Sequence, residues 1–308
     1  MTALAQTSAP RFAWAGFSLH IPAGWNPVAL EKDFVRFEDG GGPRLECRWQ
    51  PTEGAYRLER HLSKAASQMK RAAAFRTDGV ELPALFLDAL QRLEEHGFTA
   101  KPFAWTDAAG EAANPGALLH HAESGIAVII RAFPRAEADE DTELADALAT
   151  ARCHPRNADR LWSVFGVRVW LPGTLYLKTF SFKPGHFRME FLNSRRVHLV
   201  LERLGPAQFA LKGSSLEEWA AGFFKSINLR SARHGQGPDG WSVLEKPWPR
   251  GFFGAVSRRL PGILRAQRYR LGLRLADQET KILTVRMEGP APLPDGAFEK
   301  ICESYEVV

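Results

Sequence analysis

The chain has 308 residues, of which 45% are hydrophobic and 24% charged, and its formal net charge is +5. These are ordinary globular proportions, enough for two domains each with its own core, and the charge is too small alone to imply a polyanion partner. Three cysteines, Cys47, Cys153 and Cys302, have no CxxC spacing and are expected as small buried hydrophobes in a reducing compartment.

The opening stretch MTALAQTSAPRFAWAGF lacks a basic leader, and Gln6, Thr7 and Pro10 break its only apolar run. No uncharged apolar window reaches about 18 residues, so neither a signal peptide nor a membrane span is expected, and a cytoplasmic location follows. The first predicted strand is FSLHIP, where Phe17, Leu19 and Ile21 alternate with Ser18 and His20 before Pro22. A hairpin comes next: DFVRFED, the turn GGGP, then RLECRWQ with Leu45, Cys47 and Trp49 on one face and Arg44, Glu46 and Arg48 on the other. Leu58, His61, Leu62, Ala65, Ala66 and Met69 recur at helical spacing. A further helix, LPALFLDALQRLEEHG, gathers Leu82, Leu85, Phe86, Ala89, Leu90 and Leu93 on one face, with Pro83 early and Gly97 as C-cap. The hairpin GALLHHAESGIAVIIRAF and the helix DTELADALATA close this half, and the polar CHPRNADR, residues 153–160, reads as a linker.

The second half repeats the order. VRVWLP places Val167, Val169 and Leu171 where the first strand has Phe17, Leu19 and Ile21. HFRMEFLN and RVHLVLER form a hairpin in which Val197, Leu199 and Leu201 match Leu45, Cys47 and Trp49. Leu216, Trp219, Ala220, Phe223, Phe224 and Ile227 match the helix from Leu58 to Met69 at one constant spacing, with a capping box expected from Ser214 and Glu217. RLGLRLADQETKILTVRME aligns Arg286 with Arg131, and DGAFEKICESY is the closing helix. Phe37 and Trp49, and Phe191, Trp219 and Phe223, are expected between helix and sheet. The fold class is therefore α+β, with two tandem homologous domains, 12–152 and 160–308, each an antiparallel sheet flanked by helices.

This order of elements resembles the Mog1/PsbP-like fold. The residues that carry the resemblance are FSLHIPAGWNPV, where Pro22 precedes Trp25 as in the family's strand-Pro-x-x-Trp opening, and FEKICESY, similar to the aliphatic-Ser-aromatic end of its last helix. The second half departs from it, with Leu175 in place of the tryptophan. The resemblance implies a non-enzymatic protein of a binding or assembly kind, and it transfers no catalytic residue; the chain as a whole is expected to be of bacterial type.

Chemical motifs are sparse. His120 and His121 fall in a strand and face opposite sides of the sheet, so they do not share a metal, and no zinc spacing exists elsewhere. No GxSxG elbow, phosphate loop or GxGxxG occurs. FEDGGGP reads as a hairpin turn, and acids such as Asp33, Glu38, Glu46 and Glu190 read as solvated strand positions. The acidic run EADEDTE suits the first turn of the helix it precedes.

One stretch stands apart. Residues 230–274 hold ten Lys and Arg against Asp239 and Glu245, interleaved with Trp241, Trp248, Phe252, Phe253 and Tyr269. Arg258, Arg259, Arg265, Arg268 and Arg270 are the candidate binding residues, with Arg268 and Arg270 expected on one strand face away from the core. The expected function is binding or assembly, through the crevice between repeats and this arginine face, with an acidic protein or anionic ligand as partner and neither cofactor nor metal. An enzyme with an active site between the repeats is one alternative. A nucleic-acid-binding protein, whose affinity would fall steeply with salt, is the other.

Overall fold

Period-two alternation governs most of the chain, and the strands it predicts pair antiparallel, joined by five short helices among the described residues. The structure, a computed structural model, describes residues 12–52, 75–77, 79, 81–106, 113–135, 141–225, 227, 229–246, 268–290 and 294–308. The helix expected from Leu58 to Met69, most of EADEDTE and the stretch 247–267 lie outside them. The described residues fall into two units. Residues up to Arg156, with Ser163–Phe165, form the first; Asn157–Trp162, with Gly166–Val308, form the second.

The first unit runs through β1 (Phe12–Trp14), β2 (Phe17–Leu19), β3 (Asn26–Leu30), β4 (Phe34–Asp39), β5 (Gly42–Pro51), β6 (Phe75–Arg76), α1 (Ala84–Glu94), β7 (Phe98–Trp105), β8 (Asn114–His121), β9 (Ile126–Ala132), α2 (Thr142–Ala149) and β10 (Arg152–Cys153). Seven of these strands form a sheet in the order β3-β4-β5-β9-β8-β7-β6. Val35, Phe37, Leu45, Cys47 and Trp49 lie fully buried on one face of it. The β1–β2 hairpin closes on that face: Phe12 meets Phe37 edge-on at 5.0 Å, and Phe17 stacks on Trp49 at 5.0 Å. Its turn is Ala15-Gly16, both left-handed at φ 50° and 90°, the pairing a two-residue hairpin turn of matching twist needs. Cys153, placed by the sequence in a linker, is a strand residue opposite Phe17.

α1 is shorter than its apolar pattern: it begins after Pro83, which fixes the entry, and caps at Glu95 two residues before Gly97. It buries Phe86, Ala89, Leu90 and Leu93 as expected. α2 is held by a buried ion cluster. A register shift next to Phe37 and Glu38 leaves Arg44 as an extra residue on β5, 2% exposed. Its Nη2 donates to Asp141 Oδ1 at 2.7 Å, and its guanidinium lies 5.2 Å over the ring of Trp25. Asp141 also accepts from Leu144 N, capping α2, and Trp25 Nε1 donates to Glu143 Oε2 at 3.1 Å. The acids predicted for the first turn of this helix are thus its cap and its anchor.

β11 (Arg160–Val164) begins in the second unit and ends in the first, where its Ser163 faces Ala13 of β1; the second unit then runs through β12 (Val167–Leu171), β13 (Tyr176–Lys183), β14 (His186–Leu192), β15 (His198–Leu204), α3 (Ala207–Leu211), α4 (Leu216–Phe223), β16 (Arg233–Gln236), β17 (Ser242–Lys246), β18 (Tyr269–Ala276), β19 (Lys281–Glu288), α5 (Ala297–Ser304) and β20 (Glu306–Val307). Its seven-stranded sheet is ordered β13-β14-β15-β19-β18-β17-β16. In chain order this is the connectivity of the first sheet. Local turns also agree: Phe165 and Gly166 are left-handed as Ala15 and Gly16 are, and Leu175 N bonds Pro172 O as Trp25 N bonds Pro22 O. Leu175 and Trp25 are both buried.

Helices cover this sheet on both faces. α5 packs Phe298 and Cys302 toward Gly272, where a Cβ would sit 3.0 Å from the ring of Trp241. α4 packs on the opposite face with Ala220 and Phe224 against Tyr269, Leu271 and Leu273. Two expectations shift by one residue here. The capping box is Ser215 with Glu218, not Ser214 with Glu217. The helix ends at Phe223, which is 39% exposed, while Phe224 turns inward and is 4% exposed. The cause is the C-cap: Phe224 leaves helical geometry at φ −90°, ψ 55°, so the helical stripe does not extend to it.

Truncation should separate these two phenylalanines. Phe224→Ala is expected to cost about 3–5 kcal/mol in urea unfolding, through lost transfer energy and the cavity left. Phe223→Ala should cost no more than about 1.5 kcal/mol, the worth of its stacking on Trp219. Equal costs would show that the turn at Phe224 does not form.

Candidate functional site

The basic stretch converges on one end of the second sheet. Arg233 stands opposite Glu245 and Lys246 opposite Tyr269, so the start of β16, the end of β17 and the start of β18 lie together. Arg268 immediately precedes β18 and is half-buried; Arg233 is exposed. Neither makes an ion pair within 4.0 Å among the described residues, although Glu245 is the cross-strand neighbour of Arg233. Arg258, Arg259 and Arg265 lie outside the described residues.

Arg270 differs from the expectation that it faces away from the core. α5 lies on its side of the sheet, so its Nη2 donates to Glu299 Oε1 at 2.7 Å and its guanidinium sits 4.4 Å over the ring of Phe298. Nε is 3.2 Å from Glu245 Oε2, an ion contact without hydrogen-bond geometry. Burial pushes the Glu299 carboxyl up, but the Arg270 hydrogen bond and charge outweigh it and hold it below the usual range. Arg274 is also engaged: its Nη2 donates to Tyr305 O at 2.6 Å, and it lies over the ring of Trp241. The described arginines of the stretch therefore divide into Arg270 and Arg274, which pin α5, and Arg233 and Arg268, which do not.

A second charged constellation lies on the α4 side of the sheet, along β14 and β15. Arg188 is opposite Glu202, a fully buried carboxylate, and donates Nη1 to its Oε1 at 3.0 Å. His186 Nε2 lies 3.0 Å from the same oxygen, and Thr284 Oγ1 donates to Oε2 at 3.4 Å. Arg188 also donates Nη2 to Glu190 Oε1 at 2.7 Å, and Glu190 Oε2 meets His198 Nε2 at 3.0 Å. The result is a row, His186–Glu202–Arg188–Glu190–His198, in which acids alternate with arginine and histidine. Burial raises the Glu190 carboxyl, yet the hydrogen bond and charge of Arg188, with help from His198, hold it below the ordinary range. Burial also lowers the Arg188 guanidinium, but Glu190 and Glu202 more than reverse that.

The first sheet has a shorter version. Glu46, 2% exposed, accepts from Arg36 Nε at 2.6 Å and pairs with Arg131, which lies 5.2 Å over the ring of Trp105. Glu46 and Glu190, read from sequence as solvated strand positions, are instead countered by guanidiniums and largely out of water. The signal was present: HFRMEFL puts His186, Arg188 and Glu190 on one strand face, and folding the hairpin with HLVLERL sets Arg188 against Glu202.

The remaining candidates are structural. His121 meets the Phe98 ring at 4.9 Å, tilted by 55°, and bonds Ser124, whereas His120 faces Thr52 across the strand. All three cysteines are buried and free; burial pushes the Cys47 and Cys302 thiols well up and Cys153 to about 12, which leaves none poised as a thiolate. Among the described residues no group of three His, Cys, Asp or Glu is placed to hold a metal ion, and no helix is long and apolar enough to cross a membrane. Compared with models of known families the chain matches none, and no curated protein matches it.

The buried ladders set a stability prediction. Arg188→Ala takes the guanidinium from the fully buried Glu202 carboxylate and should cost about 3–5 kcal/mol, whereas Arg48→Ala, which breaks exposed pairs with Glu31 and Asp33, should cost less than about 1 kcal/mol. Denaturant midpoints at constant slope measure both, and similar losses would contradict the ladder's role. Asp141 adds a pH dependence. Burial raises its carboxyl, but hydrogen bonds from Arg44, Arg135 N and Leu144 N hold it below the usual range. A depressed carboxylate stabilises fully above its unfolded value, about 4, and loses that contribution as pH falls through the folded value. Asp141→Asn should therefore be less stable at neutral pH and flatten the acid limb of the stability curve.

Proposed function

We propose that this is a binding protein whose second unit holds an acidic segment of a partner protein at the basic end of its sheet. One observation carries the reading: Arg233, Lys246 and Arg268 lie at one end of the sheet, where β16 starts, β17 ends and β18 begins, with Arg233 and Lys246 on opposite faces. The connection between β17 and β18 leaves and returns there. Its sequence, residues 247–267, contains Arg250, Arg258, Arg259 and Arg265 and no acidic residue. A run of sequence that carries four arginines and no acid suits carboxylate partners. Arg270 stands apart as the anchor of α5 and is withdrawn from the set of contacts.

The tandem-repeat and Mog1/PsbP-like readings belong to the same proposal. Their support is the shared strand order of the two sheets, the paired left-handed turns at 15–16 and 165–166, and the matched proline turns at Pro22 and Pro172. A fold built twice, with a charged edge on one copy, fits assembly better than chemistry.

The test is calorimetric titration with a short polyglutamate peptide. Reversal of Arg258, Arg259, Arg265 and Arg268 to Glu should weaken binding at least about tenfold, with an unchanged circular dichroism spectrum. Binding by the native chain that is indifferent to the reversal would refute the assignment of these residues. A single-stranded oligonucleotide bound more tightly than the peptide, with an affinity falling steeply in salt, would replace the acidic-protein reading with nucleic-acid binding.

A further inference from the structure

An edge strand offers unpaired backbone donors and acceptors to any extended chain unless something blunts it. Of the four outer strands of the two seven-stranded sheets, three are blunted. β3 contains Pro27 and a register shift between Pro27 and Ala29. β13 has a register shift between Leu177 and Thr179 and exposes Lys178 and Lys183. β6 is two residues long. β16 is the exception. Its residues Arg233, His234, Gly235 and Gln236 pair with β17 in unbroken register, and all of them are exposed.

The phase of its backbone can be read from the turn. Gly237 N donates to Trp241 O at 2.7 Å, which continues the β16–β17 ladder by one rung. Antiparallel residues turn both backbone groups to one side, then both to the other. Gly235 and Arg233 therefore share the phase of Gly237 and face β17, while His234 and Gln236 direct N–H and C=O outward. Side-chain space is also available: a Cβ at Gly235 would meet nothing within 4 Å. The charge is favourable, because Glu245, the cross-strand neighbour of Arg233, is in contact with Arg270.

We propose that β16 accepts an extended, acidic segment of a partner protein as an added strand, bonded to the backbone of His234 and Gln236, with Arg233 reading its carboxylates. This inference rests on the acidic-partner reading above and specifies its mode, in which main-chain bonds give affinity and alternate side chains give specificity.

The probe is a short acetylated peptide of alternating Glu and Val, compared with its twin N-methylated at alternate amides and with polyglutamate. His234→Pro removes an outward N–H without removing a rung to β17, and proline is tolerated at such edge positions. Both the methylated peptide with the native chain and the unmethylated peptide with His234→Pro should bind about tenfold more weakly, whereas His234→Ala should stay close to the native affinity. The methylated peptide keeps the test independent of how His234→Pro folds. Equal affinity for methylated and unmethylated peptides would overturn strand addition while leaving the acidic-partner reading intact. Failure of the native chain to bind the alternating peptide, with polyglutamate still bound, would overturn strand addition alike. Failure to bind either peptide would overturn both.

Discussion

A carboxylate taken out of water must be given counter-charge in the same place, and Glu46 and Glu202 impose that requirement on the two sheets. Each sits on the third strand of its sheet with nearly no exposure. An isolated ion there would cost several kcal/mol, so the flanking strands supply Arg36 and Arg131 to one, and Arg188 with His186 to the other. These partners fix which residues stand opposite each other, because a slip of one residue would turn the guanidinium to the far face and strand the carboxylate. A charged row of this kind is weak as a source of net stability, but it is costly to break. Its place in the structure is to specify register.

The same need for counter-charge sorts the arginines. Arg44 is consumed by Asp141, Arg188 by two glutamates, and Arg270 by Glu299 and Glu245. Each of these joins one element to another: α2 to the first sheet, β14 to β15, α5 to the second sheet. Arg233 and Arg268 join nothing among the described residues, and they lie where the acid-free connection departs. The proposed function is the complement of that division. Among the described residues, Arg233 lies on the regular edge strand β16 and Arg268 just before β18 at the same end of the sheet.

Hairpins and their faces were legible in the sequence because period-two alternation is strong in RLECRWQ, HFRMEFL and KILTVRME, and the turns before the first and after the second carry Gly, Asn or Ser. The order in which hairpins join was not, since nothing local records that β5 pairs with β9 or β15 with β19. Helix ends were misplaced by small margins for local reasons: adjacent serines at 214 and 215 offer equivalent caps, and Phe223 and Phe224 offer equivalent stripes until the cap turns one of them inward. At the candidate site, the density of arginine in residues 230–274 was visible, but the separate fate of Arg270 was not. That depended on α5, some thirty residues later, presenting Glu299 and Phe298 to the same side of β18.

The division of the arginines is the central claim, and its most direct measurement is chemical footprinting. The native chain would be treated briefly with an arginine-selective dicarbonyl, and modification at each residue quantified by mass spectrometry. Arg44, Arg270 and Arg286 should be strongly protected by their partners and burial, with Arg233 and Arg268 among the fastest to react. Rapid modification of Arg270 together with protection of Arg233 and Arg268 would contradict the account, because the cations assigned to the fold would then be the available ones.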